Sequence, residues 1–464
     1  MERQREIVEQ LKQIISKDRL IYEGRTLSNY AFDGSYGTHW PHAVCQPTST
    51  EEVVGILKVA NEWKVPVITK GVEPVGLGGQ CVRGGIVIDY SEWTDTLQIC
   101  EDEAVAIMSP GVLTNDLNEE ANRYGLSYPL FSKAGADERI AEQIFDNTYA
   151  PNELKYGRVG DYILGLEFVT ASGQVVQTGG KSADDRNGYD LIHLIVGSKG
   201  TLGIITRVLV RLIPKPLATK TFCVAFDHLI DAGSAIERLL TSGVNPTRIE
   251  MFDQETVIAT EQLEALGLPV TKSAILLVRL DGHPDVVDAK VELVKKECAR
   301  YQIGELSIAT TEEEEIAYWR LREIVIAALQ RASTTRVSDR VTIPHRHIER
   351  LFQQFEKIKE RYDIPFILHG HVGRREMHPT ILVRLEQFDV SAIEQAIQEL
   401  FEATKTLGGM LATPDAFQCT LRPKEEQFSE RNSIRWMKEV KDILDPNDLL
   451  NPGRMFETTS IHLH

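Results

Sequence analysis

The stretch GYDLIHLIVGSKGTLGIITRVLVRLIPKP runs from Gly188 to Pro216. Gly197, Gly200 and Gly203 stand three residues apart within it. Glycines at this density mark backbone that turns tightly or comes close to another group, because glycine alone takes positive φ without steric cost. The run IITRVLVRLI then alternates apolar and polar residues, as a half-buried strand does. A glycine hinge feeding a strand either cradles a phosphate through its backbone N–H groups or is a tight turn and nothing more. Pro214 and Pro216 break regular structure at the end of the stretch, so a domain boundary is expected near Leu217.

Working outward, the upstream half is rich in short β-prone runs. HAVCQPTSTEEVVGILKVANEWKVPVITKG reads as a strand, a helix capped near Ser49 or Thr50, and a second strand at Val65–Thr69. GGIVIDYS, DEAVAIMSPGV and the hairpin DYILGLEFVTASGQVVQTGG follow, with a helix near 114–124 closed by Gly125. Residues 2–17 read as an amphipathic helix. Past PKPLATK the pattern changes to strand–helix–strand units: TFCVAFD, HLIDAGSAIERLLTSG, TRIEMFD, SAILLVRLDG and DVVDAKVELVKKECARY, and later IPFILHGH, TILVRLE and DVSAIEQAIQELFEATKTLGG. Such units with antiparallel returns predict a ferredoxin-like sheet covered by helices. The fold class is α+β, with no repeat of fixed short period.

At 464 residues the chain has room for about two to three domains. A 42% hydrophobic and 26% charged composition places it among soluble globular proteins. The formal net charge of −17 argues against nucleic-acid binding and against direct attachment to an anionic membrane. No run approaches the ~18 apolar residues of a membrane span, and the charged start MERQREIVEQLKQIISKDRL has no apolar h-region. The six cysteines lie far apart without a CxxC pair, which excludes a sequence-local iron–sulfur or zinc-ribbon site. Reduced thiols in a cytoplasmic protein are the expectation.

Several segments, taken in order, carry a resemblance. QPTSTEEVVGILKVANEWKVPV, LKYGRVGDYILGLEFVTASGQVVQTGGK, NGYDLIHLIVGSKGTLGIIT, WRLRE (Trp319–Glu323), HGHVGRREMH (His369–His378) and LDPNDLLNPGRMF (Leu444–Phe456) span about residues 38 to 456. The chain resembles the FAD-linked oxidase family that contains D-lactate dehydrogenase, D-2-hydroxyglutarate dehydrogenase and the flavin-binding subunit of glycolate oxidase. The resemblance implies an N-terminal helical segment (1–37), a FAD-binding domain of the vanillyl-alcohol-oxidase type (38–217), a ferredoxin-like substrate-capping domain with a returning C-terminal segment (218–456), and a tail (457–464). It implies FAD held by Lys70, Gly71, Gly78, Gly79, Pro110, Gly111, Gly200, Thr201, Gly203, Ile204 and Asn451. Its partners would be a small 2-hydroxy acid and an electron-accepting subunit of iron–sulfur type, in an assembly with further subunits or copies.

Departures fall where the family touches its cofactor. The diphosphate loop reads KGVEPVGLGG (Lys70–Gly79), with Glu73, Pro74 and Val75 in place of small residues. Proline removes a backbone donor and Glu73 adds negative charge, so weak, non-covalent FAD binding is expected. The ring-facing segment AGADERIAEQIFDNTYA (Ala134–Ala150) carries Arg139, Ala141 and Glu142 in place of the small-residue core. Arg322 matches the arginine that binds the substrate carboxylate, a role suited to a bidentate guanidinium; the plain alternative is an ion pair with Glu314 or Glu315. His371 and His378 match two ligands of a divalent metal such as zinc or manganese, with Arg374-Arg375-Glu376 replacing the intervening Asp-Gly-Asn. TPDA replaces the motif that supplies a third ligand and a base, leaving Asp415 or His371 as the expected proton acceptor. Two functions stay open at this point: a FAD-dependent 2-hydroxy-acid dehydrogenase, and a flavin-poor structural subunit of a glycolate-oxidase-like complex.

Overall fold

The computed structural model describes residues 2–31, 40–70, 84–130, 138–148, 150–181, 188–332, 335–338, 340–383, 390–411 and 431–456. Ser49 caps the helix Thr50–Trp63 by accepting from the Glu52 N–H at 3.2 Å, as STEE predicts. That helix crosses between parallel strands of a four-stranded sheet. Its strands are β1 (Leu20–Ile21), β2 (Ala43–Cys45), β3 (Val67–Lys70) and β4 (Ile86–Asp89), in the order β1-β2-β4-β3. The N-terminal helix stops at Leu11, earlier than its apolar period suggests.

Next come β5 (Leu97–Cys100), β6 (Val105–Met108), β7 (Leu126–Ser127), β8 (Ile163–Val169), β9 (Val175–Gly179), β10 (Ile204–Arg211) and β11 (Ile213–Pro214). Five of them form an antiparallel sheet, β5-β6-β10-β8-β9, while β11 pairs with β7. The alternating run after the glycines is β10, central in that sheet. One apolar core, from Ile7 to Leu212 with Leu450, joins both sheets.

Beyond β11 a nine-stranded antiparallel sheet begins. It contains β12 (Ala218–Phe226), β13 (Arg248–Asp253), β14 (Ala274–Gly282), β15 (Ile303–Ile308), β16 (Thr335–Ser338), β17 (Val341–Thr342), β18 (Phe366–His371), β19 (Glu376–Val383) and β20 (Met410–Leu411). The order is β15-β12-β14-β13-β18-β19-β17-β20, with β16 on β19. Numbered within each half, the first four strands run 4-1-3-2 and the last four 2-3-1-4. The second half has the βαββαβ connectivity of a ferredoxin-like unit, and the first has the same with one added helix, Gln254–Leu263, between its second and third strands. The sheet is two such units joined edge to edge through β13 and β18. This duplication has no fixed period in the sequence.

Strand alternation separates the two faces of this sheet. Phe222, Val224, Phe226, Ile249, Met251, Phe366, Leu368 and Met377 enter the outer core. Cys223, Phe252, Ile275, Leu277 and Ile367 enter an inner core with Trp319, Leu321 and Val325 of the helix Glu312–Ala332. Arg248, Glu250, His369, His371 and His378 occupy the remaining inner positions, at the β13–β18 seam.

The returning C-terminal segment seals the first half of the chain. Val67 donates to Leu449 O at 2.7 Å and Asn451 donates to Val67 O at 2.9 Å, adding a short bridge beside β3. Lys441 (5% exposed) is buried on the helix Arg431–Leu444. It pairs with Asp445 and donates to Thr201 O at 3.0 Å and Leu450 O at 2.9 Å. A buried ammonium is tolerated because every proton has an acceptor.

Candidate active site

The glycine run ends against this C-terminal return. Gly197, Lys199 and Gly200 have φ of 79°, 56° and 69°. A Cβ at Gly200 would lie 2.5 Å from Asn451 Nδ2 and 2.7 Å from Thr69 Oγ1, so the close approach demands glycine. Asn451 clips three segments: its Oδ1 accepts from Thr69 N (3.0 Å), and its Nδ2 donates to Thr69 Oγ1 (3.2 Å) and Lys199 O (2.6 Å). Thr201 turns its hydroxyl onto Ser198 O at 2.7 Å. Gly203 packs on Phe168, and Ile204 opens β10. Gly200, Thr201 and Asn451 therefore meet at the end of β3, next to Lys70.

Lys70 lies over the Tyr30 ring at 3.9 Å and has no carboxylate partner among the described residues. Gly71, Gly78 and Gly79, with Glu73, Pro74 and Val75, lie outside the described residues. A Cβ on Gly111 would lie 2.1 Å from Tyr90 O. Pro110 O accepts from Ala141 N at 3.2 Å. Arg139 donates to Gly111 O at 2.6 Å, and Glu142 accepts from the Arg139 N–H at 3.3 Å as a cap for the helix Ile140–Asp146. Arg139 thus ties 138–142 to Gly111, and Glu142 caps the helix within that segment. One buried hydroxyl of this half, Ser198 Oγ on the glycine run, has no hydrogen-bond partner among the described residues. A lysine with no carboxylate partner among the described residues, together with an unsatisfied hydroxyl on the glycine run, suits a polar, diphosphate-bearing cofactor such as FAD.

The second group of site residues lies on the inner face of the nine-stranded sheet. His371 faces Glu250 across the β13–β18 seam, and His369 faces His378 across β18–β19. The His369 and His378 rings stack at 4.9 Å with 9° between planes, and His371 meets His378 edge-on at 5.1 Å. Glu250 is 3% exposed. Its Oε1 accepts from Arg248 Nε and Arg322 Nε, each at 3.0 Å, and its Oε2 accepts from His371 Nδ1. Burial opposes this carboxylate, yet His371, Arg322 and Arg248 together hold its pKa well below the ordinary value. Burial also lowers the pKa of His371, against the pull of Glu250. The alternative ion pair of Arg322 with Glu314 or Glu315 does not form: Glu314 caps its own helix through Thr310, and Arg322 turns to Glu250.

An ionised Glu250 accepting from Nδ1–H fixes the tautomer of His371, leaving Nε2 as a proton acceptor. Arg322 spends only Nε on Glu250, so its Nη edge is available for a carboxylate. Glu376 is buried and approached by Arg340 (3.4 Å), Arg374 (3.6 Å) and His378 (3.9 Å). Glu376 Oε2 and His378 Nε2 have no hydrogen-bond partner. Among the described residues no group of three His, Cys, Asp or Glu is placed to hold a metal, and Asp415 lies outside them.

The turn Val372–Arg374 closes the site against the other half of the chain. A Cβ on Gly373 would lie 3.2 Å from Leu154 Cβ, so the helix Glu153–Tyr156 rests directly on the turn. Burial raises the Glu153 carboxyl to about 7, with Arg374 and Arg158 opposing. Burial and Asp146 raise Glu138 to about 7, again opposed by Arg374. Lys155 pairs with Asp281, and Tyr156 Oη donates to the same carboxylate at 2.9 Å. Glu250 was not singled out from sequence; the available signal was an acid between Ile249 and Met251, two residues after an arginine, in the strand RIEMFD.

Comparison with known proteins fits this arrangement. The family of FAD linked oxidases, C-terminal domain, matches residues 215–455, and a FAD binding domain matches 41–179. Glycolate oxidase subunit GlcD of Bacillus subtilis is 33% identical over 435 residues, covering 93% of this chain and 92% of that one. D-lactate dehydrogenase of Archaeoglobus fulgidus is 29% identical over 418 residues, covering 89% and 90%. Among solved structures, 4-ethylphenol oxidase from Gulosibacter chungangensis superposes with a TM-score of 0.74 at 18% identity, covering 98% of this chain and 97% of that one. p-Cresol methylhydroxylase gives 0.74 at 19% identity with the same coverage. These two likenesses establish the vanillyl-alcohol-oxidase type of fold. The chain belongs to the FAD-linked oxidase family, and it is an oxidoreductase whose cofactor is FAD.

Proposed function

We propose that the protein oxidises a small 2-hydroxy acid of the glycolate or D-lactate type to the 2-oxo acid, and passes the electrons to a separate acceptor subunit. The observation that carries this reading is the single buried carboxylate of Glu250 holding both Arg322 and His371. One residue thereby sets the anion anchor and the base relative to each other.

The substrate carboxylate sits on the Nη edge of Arg322, where a planar fork matches two oxygens. Its 2-hydroxyl then faces His371, whose Nε2 takes the hydroxyl proton. Glu250 stabilises the imidazolium that results, and in a buried setting that stabilisation exceeds its value in water. Bound FAD supplies the acceptor for the hydride that leaves the substrate Cα. The stacked His369 and His378 rings and the buried Glu376 wall the site and limit water around the base. Support for a partner subunit comes from the Bacillus subtilis relative, which is itself an oxidase subunit. No described helix is long and apolar enough to cross a membrane. Cys45, Cys100, Cys223 and Cys298 are free, and we place the protein in the cytoplasm.

The test is a visible spectrum of the purified protein followed by anaerobic addition of glycolate or D-lactate. Flavin bands that bleach with either acid support the reading. A protein that takes up no FAD even when it is supplied would instead support a structural-subunit role. A yellow protein that neither acid bleaches would refute the substrate assignment.

A further inference from the structure

Further along the inner face, toward the chain crossing at 214–218, two arginines stand side by side. Arg248 and Arg279 are directly opposed across β13 and β14. Cβ atoms so placed are about 5 Å apart, and like charges there repel. Arg248 spends Nε on Glu250 and lies over the Trp319 ring at 3.9 Å, and its Nη groups bond to no described residue. The Arg279 guanidinium makes no hydrogen bond to a described residue, only an ion pair from Nη2 to Glu315 at 3.5 Å. Three guanidiniums, Arg248, Arg279 and Arg322, thus share two carboxylates, Glu250 and Glu315.

Both arginines line a groove of about 1000 Å³ between the two halves of the chain. Lys215 lines it too, without an ion-pair partner among the described residues. So does Asn122, whose Oδ1 is buried with no hydrogen-bond partner. Of the acidic lining residues, Asp281 is held by Lys155 and Glu323 by Arg320 at 3.1 Å, which leaves exposed Glu312. Lys215, Lys220, Arg248 and Arg279 equal the acidic lining residues Asp281, Glu312, Glu315 and Glu323 in number, so on a chain of net charge −17 the groove is locally neutral and opposes an anion less than the surface at large.

We propose that this groove binds a small molecule bearing an oxyanion, carboxylate or phosphate, at a site separate from the 2-hydroxy-acid position on Arg322. The oxyanion takes the free Nη donors of Arg248 and Arg279, and Asn122 accepts from a ligand hydroxyl. Because Arg248 shares Glu250 with Arg322 and His371, occupancy of the groove changes the pull on the candidate catalytic pair. Coupling of this kind is reciprocal.

Thermal melts of the FAD-loaded protein in sodium phosphate and in sodium citrate, each against sodium chloride at equal ionic strength, test the site. A melting temperature that rises in phosphate or citrate beyond chloride is expected, and the larger rise identifies a phosphate-bearing or a polycarboxylate ligand. Arg279→Gln should weaken the apparent affinity roughly 10- to 100-fold, the loss expected for one charge-assisted hydrogen bond. Lys215→Gln, at an exposed position, should weaken it as well and serves if Arg279→Gln folds poorly. Arg322→Gln should retain the rise. Equal rises in all three salts would overturn the proposal. So would a rise abolished by Arg322→Gln and untouched by Arg279→Gln and Lys215→Gln.

Discussion

Glu250→Gln replaces one oxygen by nitrogen and removes one charge from a position that is 3% exposed. The amide oxygen can still accept from Arg248 and Arg322. The amide nitrogen now faces His371 Nδ1, and two N–H donors cannot share that contact. His371 therefore moves its proton to Nε2, the atom proposed to act as base. General-base catalysis contributes about 10²–10⁴-fold, so kcat/KM for glycolate or D-lactate should fall by that order. Buried Arg248 and half-buried Arg322 also lose their counterion, and breaking a buried pair costs about 3–5 kcal/mol.

The pH dependence carries its own sign. The Glu250 carboxyl is held well below its ordinary 4.5 in the folded chain. Its stabilisation is therefore complete above that unfolded value and is lost as pH falls through the folded one. His371 is lowered from 6.5 by burial, so the unprotonated base persists below that pH and the acid limb of kcat/KM lies there. The assay is dye-coupled oxidation from about pH 5 to about pH 9, with urea melts and FAD content measured on the same samples. A Glu250→Gln protein with full FAD and wild-type kcat/KM across that range would refute the shared-carboxylate argument.

Arg322→Lys keeps a charge but loses the fork, and should raise KM roughly 10- to 100-fold, measured by steady-state kinetics on D-lactate and glycolate. Gly200→Ala forces a Cβ to 2.5 Å from Asn451 Nδ2 at a φ of 69°, and should cost about 1–3 kcal/mol in a urea melt. Glu153→Gln should raise the melting temperature at pH 8 more than at pH 5.5, because the Glu153 carboxyl is protonated in the fold up to about 7 and its ionisation is penalised above that. Equal shifts at both pH values would count against a buried, neutral Glu153. FAD should leave on extensive dialysis and restore the melting temperature when added back, as expected for a weakly held ligand that binds only the folded state.

The architecture is legible in the sequence because its signals are local. A hydroxyl and two carboxylates at Ser49–Glu52 specify a helix start, and the continuous apolar run FCVAF specifies a strand buried on both faces, with Phe222, Val224 and Phe226 in one core and Cys223 in the other. Gly197, Gly200 and Gly203 are legible as special backbone, but what they approach is not: Gly200 meets Asn451 and Thr69, each remote in the chain. The duplicated βαββαβ unit is hidden because many apolar alternations build the same strand, so topology repeats without the residues repeating.

The site divides along the same line. Arg322 and His371 can be nominated one at a time from short motifs. Glu250 is 72 residues from the first and 121 from the second, and only the β13–β18 seam brings it to both. Mid-strand Glu250 in RIEMFD reads as a defect between apolar neighbours until burial is considered. A carboxylate cannot stay charged there without cations around it, so its presence demands at least one partner on the neighbouring strands. Arg248 is two residues away on the same face, His371 is its cross-strand neighbour, and Arg322 comes from the helix above. The same reasoning extends to Arg248 and Arg279, which have one carboxylate apiece, Glu250 and Glu315, and more N–H groups than those two acids engage. Around Glu250 the fold supplies the counter-charge itself; at the arginine pair it leaves donors facing a groove, where the proposed oxyanion would meet them.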